Sequence, residues 1–286
     1  MSKQRYLCLI CGKQFQSKNR KEKLHRVIWK KFVWERKTIK NLCKEYHRSK
    51  DWIRKHLKLA RVNIQLIKPQ SAVFIADATF FKRKFGIVVF RIPCLQRNIY
   101  WQETLYETIS DYQQGRIDLE KQGFKFQAIV LDGRPGVRAV FSDIPVQMCH
   151  YHQKQIINRY LTTRPKLQAS IELRNIVQFL CHSNEKIFTD KLNHWHEKWI
   201  IFLKEKTINE EKGKWFYKHK RIRSAYRSLK ANLPYLFTYQ EYPQLNIPNT
   251  TNSLDGYFSH LKELVKIHRG LNSILKRKLI DEILGK

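Results

Sequence analysis

Two aspartates stand where apolar runs end. Asp77 lies in Ser71-Ala72-Val73-Phe74-Ile75-Ala76-Asp77-Ala78-Thr79-Phe80-Phe81, and Asp132 follows the run Phe126 to Leu131, just before Gly133-Arg134-Pro135-Gly136. An ionised carboxylate on a buried strand is expensive unless it meets a cation or hydrogen-bond donors. Taken singly, each reads as a strand-end turn residue or helix cap, and Asp132-Gly133 is an ordinary turn dipeptide. Taken together, on strands that can be neighbours in one sheet, they would converge on a point, and converging hard oxygens are what Mg2+ requires. A third acid should come from a helix late in the chain. The candidate is Asp255, in Asn249-Thr250-Thr251-Asn252-Ser253-Leu254-Asp255-Gly256-Tyr257-Phe258, with Glu263, two helical turns on, ranked below it.

Two further spacings are of metal type. Cys8-Leu9-Ile10-Cys11 can bind one face of a tetrahedral zinc, but zinc needs four ligands and only half a site is visible. His25 could supply a third ligand, or be an ordinary surface histidine. Cys149-His150-Tyr151-His152 places Cys149 and His152 three apart. As a zinc pair they would need two more ligands that the neighbouring sequence lacks, so a structural contact beside the acids is the preferred reading. The remaining cysteines are scattered, which argues against a disulfide framework.

The elements that would position these residues follow from hydrophobic pattern. Ser71 to Phe81, Phe85 to Ile92 and Asn98 to Leu105 predict a three-stranded meander. Ile109 to Gln122 predicts a helix, Phe126 to Leu131 a strand, Val137 to Phe141 a helix and Val146 to Met148 a strand. The order β-β-β-α-β-α-β is that of an α/β fold with a mixed sheet, in which strands one and four can be neighbours. From Ile156 to about Tyr239 the pattern is almost wholly helical and rich in aromatics and cations, and a polar loop, Pro248 to Ser253, precedes a final helical region near Leu254. Trp195 and Trp199, four apart on one helical face, are more often core than a base-stacking platform. An exposed aromatic in that region could hold an unpaired base.

Towards the N-terminus, Ile39, Leu42, Cys43 and Tyr46 recur at threes and fours, and Ser49 is placed to cap a second helix carrying Trp52, Ile53, His56 and Leu57. Two short helices with a tight joint suit a helix-turn-helix whose second helix turns Lys50, Asp51, Arg54 and Lys55 to a major groove. An ordinary helical hairpin with a solvated basic face gives the same pattern. Lys68 to Ser71 reads as a linker.

Charge points the same way. Lys plus Arg number 56 against 24 Asp plus Glu, a net +32 spread along the chain, for which a polyanion is the natural partner. His268, Arg269 and the run Lys276 to Lys278 would meet phosphates, although a solvated C-terminal helix would look alike. No apolar run approaches the roughly 18 residues of a spanning helix, and no signal peptide opens the chain. The expectation is a DNA-containing, cytoplasmic location on the nucleoid.

Several of these motifs together resemble the Mutator-like superfamily of prokaryotic insertion-sequence transposases. Asp77-Ala78-Thr79 looks like the family's first acid, Leu131-Asp132-Gly133 its second, Cys149-x-x-His152 its Cys-x-x-His element, and Thr250-Thr251-Asn252 its stretch three residues before the third acid. Where the family usually has Glu, this chain has Asp255. Gln4 to Phe15 resembles the second knuckle of the zinc ribbons that open many such enzymes, whose first knuckle would lie upstream. The resemblance implies an RNase H-like core at 69–286 with a helical insertion at about 156–245, a helix-turn-helix at 26–68 and a partial zinc ribbon at 1–25. It implies a DDE/D transposase in which two Mg2+ ions, with Mn2+ able to substitute, are bridged by Asp77, Asp132 and Asp255 for in-line attack on DNA phosphorus. The expected partners are double-stranded DNA, as element ends and target, and further copies of the chain. The alternative is a catalytically inactive, transposase-derived DNA-binding protein.

Overall fold

A computed structural model of the chain describes residues 5–15, 19–81, 85–208 and 213–286; Gln4, at the head of the cysteine motif, lies outside them. The chain divides into two compact units, one of residues 1–66 with 257–286 and one of residues 67–256.

The first unit opens on a hairpin of two short antiparallel strands, β1 (Tyr6–Leu7) and β2 (Gln14–Phe15), and continues as α1 (Asn19–Val33), α2 (Ile39–Tyr46) and α3 (Lys50–Leu59). The hydrophobic pattern does not announce α1, whose basic N-terminal half hides the periodicity of Ile28, Trp29, Phe32 and Val33, all buried. The two following helices form where expected. Thr38 caps α2 through Asn41 N–H and Ser49 caps α3 through Trp52 N–H, satisfying donors the first helical turn leaves open. Between them His47 takes the left-handed conformation and makes the joint tight.

The second unit is built on a five-stranded mixed sheet of β3 (Ser71–Phe81), β4 (Phe85–Ile92), β5 (Arg97–Thr104), β6 (Lys125–Leu131) and β7 (Val146–Met148), in the order β5-β4-β3-β6-β7. The β3-β4-β5 meander is antiparallel, and β3-β6-β7 is parallel. Central β3 is buried along nearly its whole length, as a continuous apolar run requires. The crossover helix α4 (Ile109–Lys121) begins with a capping box between Thr108 and Asp111 and lays Tyr112 and Leu119 into an aromatic core with Phe74, Phe90 and Phe141. The short α5 (Pro135–Ala139) leads to β7.

Beyond the sheet come α6 (His150–Leu161), α7 (Gln168–Gln178), α8 (Glu185–Lys204), a hairpin of β8 (Lys206–Ile208) and β9 (Trp215–Tyr217), then α9 (Lys220–Leu236) and α10 (Thr238–Glu241). They enclose a second core around Leu173, Phe188, Leu192, Trp195 and Leu229. Trp195 is buried and donates its indole N–H to the Ala169 carbonyl, so the core reading holds for it. The hairpin interrupts the almost wholly helical stretch expected from the sequence, because three-residue strands carry too short an alternation to register.

Last come α11 (Asn252–Ile267), whose first turn belongs to the second unit, and α12 (Ser273–Leu284). The C-terminal 30 residues group with the N-terminal helices rather than with the sheet, a departure from the expected division at residue 69. Polar chemistry holds them there. Buried Glu282 accepts from Arg26 at 2.8 Å and from the Asn63 N–H at 3.0 Å, and Lys278 donates to the carbonyls closing α3, Leu57 and Lys58. Lys278 and Glu282 lie more than 200 residues from the groups they meet, so no local pattern announces these contacts.

Candidate metal centre in the second unit

Asp77 is placed by β3, which pairs in parallel with β6 at Ile75↔Val130; continuing that register by two residues sets Asp77 beside Asp132. The next residue, Gly133, has φ +94°, a conformation that strains any L side chain, and a Cβ there would also have to push aside the end of the Met148 side chain, so glycine is favoured. The Asp132 carboxylate accepts from the Arg134 N–H at 3.1 Å, closing the turn.

His152 and Asp255 reach the same place through a main-chain knot. The Cys149 N–H donates to the Leu131 carbonyl at 2.8 Å, fixing the start of α6 to the end of β6. The His150 N–H donates to Asn249 at 2.9 Å, fixing the loop before α11 to α6. Thr251 then caps α11, its carbonyl accepting from the Leu254 and Asp255 N–H groups. Each segment that precedes a candidate ligand is thereby held by one that precedes another. His150 itself is a core histidine, driven down to about 4 by burial and bonded through Nε2 to the Leu236 carbonyl at 2.6 Å.

Asp77, His152 and Asp255 offer ligand atoms that all lie within 4.8 Å of one another, the only such group of three or more His, Cys, Asp or Glu among the described residues. Asp132 stands beside this group rather than in it, near enough to act on Asp77 electrostatically. His152, expected as a contact beside the acids, lies among them, and the carboxylates within reach of it come from β3 and α11.

Burial is the main force on Asp77, which is 7% exposed and raised to about 7; the Asp255 and Asp132 charges add to the rise, while His152 and the Ala78 N–H oppose it. His152 moves up to about 9: burial opposes this, but the Cys149 hydrogen bond and the Asp77 and Asp255 charges outweigh it. Without a metal, the site therefore holds an imidazolium among carboxylates, a cation where cations are wanted.

The sequence reading gave Thr251 no role of its own. Fully buried, it joins Cys149, His152 and Asp255: its N–H and hydroxyl meet the Cys149 sulfur at 3.2 and 3.3 Å, and the hydroxyl lies 3.2 Å from Asp255 Oδ2 and 3.5 Å from His152 Nδ1. The visible signal was a Thr ahead of a helix, the commonplace pattern of an N-cap. Cys149 is also buried; desolvation raises its thiol, but the His152 and Thr251 hydrogen bonds prevail and lower it.

The other candidates lie in the first unit. Cys8 and Cys11 sit in the β1–β2 turn, where the Gly12 N–H closes on the Cys8 carbonyl at 2.9 Å, and backbone N–H groups of Cys11 and Ile10 lower the Cys8 thiol. Among the described residues no third ligand joins them. His25, considered for that place, lies against His56 with ring centroids 4.4 Å apart. Lys50, Arg54 and Lys55 are exposed on α3, as is Arg269 after α11. His268 corrects an expectation: it is 6% exposed, packed on Phe32 at 3.9 Å, and pushed by burial down to about 4, which removes it from the phosphate-facing set.

No family model matches the sequence, and no curated protein does. Among solved structures, a chain of the simian T-cell lymphotropic virus intasome in complex with the PP2A regulatory subunit B56 gamma is similar at 11% identity, over 55% of this chain and 69% of that one, with a TM-score of 0.23. A score that low carries no argument. No helix among the described residues is long and apolar enough to cross a membrane.

Proposed function

We propose that the second unit is an RNase H-like catalytic core and the chain a DDE/D-type transposase, cutting and joining DNA at the ends of its own element with divalent metal. The observation that carries this is the convergence of Asp77, His152 and Asp255, from a central strand and two separate helices, with Asp132 at their side.

The donor set fits hard divalent cations. Three carboxylates favour Mg2+ or Mn2+, and one imidazole is better tolerated by Mn2+. Asp77, Asp132 and Asp255 would hold the ions, whose chemistry would be to activate a water or a DNA 3′-hydroxyl for in-line attack and to stabilise the leaving oxygen. The protein's part is to prepare the ground. Asp77 must lose the proton that burial favours, and His152, charged and tied to Cys149 and Thr251, supplies the positive potential that draws that proton off. Thr251 fixes the Asp255 carboxylate, which is one methylene shorter than the glutamate of the family it resembles. Lys50, Arg54 and Lys55 on α3, in a helix-turn-helix reading of α2 and α3, would seat the protein on duplex DNA, and several copies would bring two ends together.

A specific observation favours a second reading. With the short Asp255 held back by Thr251 and an imidazolium already balancing the charge, the chain could be a DNA-binding derivative that cleaves nothing. Purified protein with Mg2+ or Mn2+ and DNA carrying the sequences that flank its own coding region decides between them. Nicking or joining that Asp77→Asn abolishes supports the enzyme. Tight binding with no cleavage, in the natural chain and in Asp255→Glu, supports the derivative.

A further inference from the structure

Outside the candidate metal centre, one part of the second unit brings cations and aromatic rings together. From Gly213 to Lys230 there are seven Lys and Arg and no acid. This segment forms β9 and the first half of α9, and with the last turns of α8 it encloses a cavity of about 270 Å3. His196 and Tyr226 line it and stack face to face, centroids 4.3 Å apart and planes 2° from parallel. Opposite, the Arg223 guanidinium lies 3.5 Å over the Tyr217 ring and is pinned by a 2.8 Å bond to a backbone carbonyl of α8. Lys204 and Arg227, exposed and also lining the cavity, have no carboxylate partner among the described residues.

These features select a ligand. A cavity just below the roughly 300 Å3 at which drug-sized sites begin admits one flat ring system rather than an extended molecule. Aromatic and guanidinium planes welcome a π-face without reading its edge, and two cations with no carboxylate partner among the described residues suit an anion beside them. A base in a duplex is already stacked and cannot enter, whereas an unpaired one can. Next to the cavity, Trp215 on the same hairpin is 57% exposed with Lys206 4.0 Å over its ring, repeating the cation-and-ring pairing where a neighbouring nucleotide would lie.

The geometry points to a single-strand DNA site between α8, β9 and α9, in which one base stacks against the His196–Tyr226 pair and its flanking phosphates meet Lys204 and Arg227. This deepens the proposed function, since it rests on DNA being the substrate. It gives the helical insertion a task of its own, to hold a strand parted from its complement.

The test needs no catalysis. A labelled oligothymidylate of about ten nucleotides, within the usual span of such sites, is titrated with the full chain in EDTA and followed by anisotropy. Tyr226→Ala should weaken binding about five- to a hundredfold, the range of one lost base stack. Because Tyr226 also packs against Trp195, the double variant Lys204→Glu with Arg227→Glu, both at exposed positions, gives an answer that does not depend on core packing. It should weaken single-strand binding at least tenfold and flatten the log–log salt slope by about 1.4, two phosphate contacts' worth. A duplex of the same sequence should lose far less affinity, and a 5-iodouracil oligonucleotide should crosslink at His196 or Tyr226. Unchanged single-strand affinity in the double variant, an equal loss for duplex, tighter binding of the matching RNA, full competition by thymidine monophosphate, or crosslinks confined to the first unit would each overturn the assignment. Asp77→Asn should keep single-strand binding, so a chain that nicks DNA without this site, or holds the strand without nicking, separates the two proposals.

Discussion

Cys8-x-x-Cys11 and Cys149-x-x-His152 are near twins in sequence and opposites in structure. The first pair stands in a surface hairpin of the first unit, Cys11 exposed and no third ligand joining it among the described residues. The second begins a helix beneath the sheet, where β3 and α11 bring two carboxylates to His152 while Cys149, fully buried, bonds to Thr251. Two ligands three residues apart therefore say little about whether a metal centre forms. What decides is whether the fold delivers groups from far along the chain, and in the second unit it does so through the main-chain knot joining Leu131, Cys149, His150 and Asn249.

The sharpest way to break the contrast is to remove its centre. Asp77→Asn keeps shape and removes charge; it should abolish metal-dependent nicking and weaken Mn2+ binding, measured by calorimetry, more than a hundredfold. The same variant should stabilise the metal-free chain at pH 8, raising Tm by about 2–4 °C per kcal/mol recovered. The sign follows from Asp77 binding its proton more tightly when folded, at about 7, than when unfolded, at 3.8. Its contribution to stability is full below the unfolded value and disappears as pH rises towards 7. For the same reason Mn2+ affinity should climb with pH through about 7 as Asp77 empties, and on towards about 9 where the metal must also displace the His152 proton; a flat profile from pH 5.5 to 8 would show that Asp77 is not the group being emptied.

Next in size is His152→Gln, which should lower Mn2+ affinity about 10- to 100-fold, as loss of a ligand or of a partner directly behind one does. Thr251→Val, nearly isosteric, should cost about 1–3 kcal/mol in a denaturation midpoint by leaving buried polar groups without their hydroxyl, and about tenfold in metal affinity. The mildest outcome belongs to the other pair. Cys11, and Cys8 beside it, should react with a thiol reagent in the native chain while Cys149 waits for unfolding. Alanine at both positions should change Tm by little, and a loss as large as that of Thr251→Val would erase the contrast.

Much of this was legible beforehand, and the exceptions share a cause. The order of strands and helices from Ser71 to Met148, the cap at Ser49, the polar loop before the helix near Leu254, and the pairing of β3 with β6 follow from apolar periodicity and a few polar punctuation marks. Asp77 and Asp132 were found because a charge inside an apolar run is conspicuous. Thr251 and His152 were undervalued because their importance lies in partners about a hundred residues away, 149 and 152 against 251, which no local pattern encodes. The β8–β9 hairpin, the basic helix α1 and the packing of Glu282 on Arg26 escaped for kindred reasons of shortness, masking charge and distance.

One small feature reaches beyond its own turn. Gly133 supplies the positive φ that strains any other residue, and Asp132 is clasped by the Arg134 amide, so the turn after β6 is held at both of its first two residues. The Asp132 carboxylate is thus held by its own turn, so that in the proposed centre an arriving ion would not have to order the loop, and any residue other than glycine at position 133 would strain the turn that holds it.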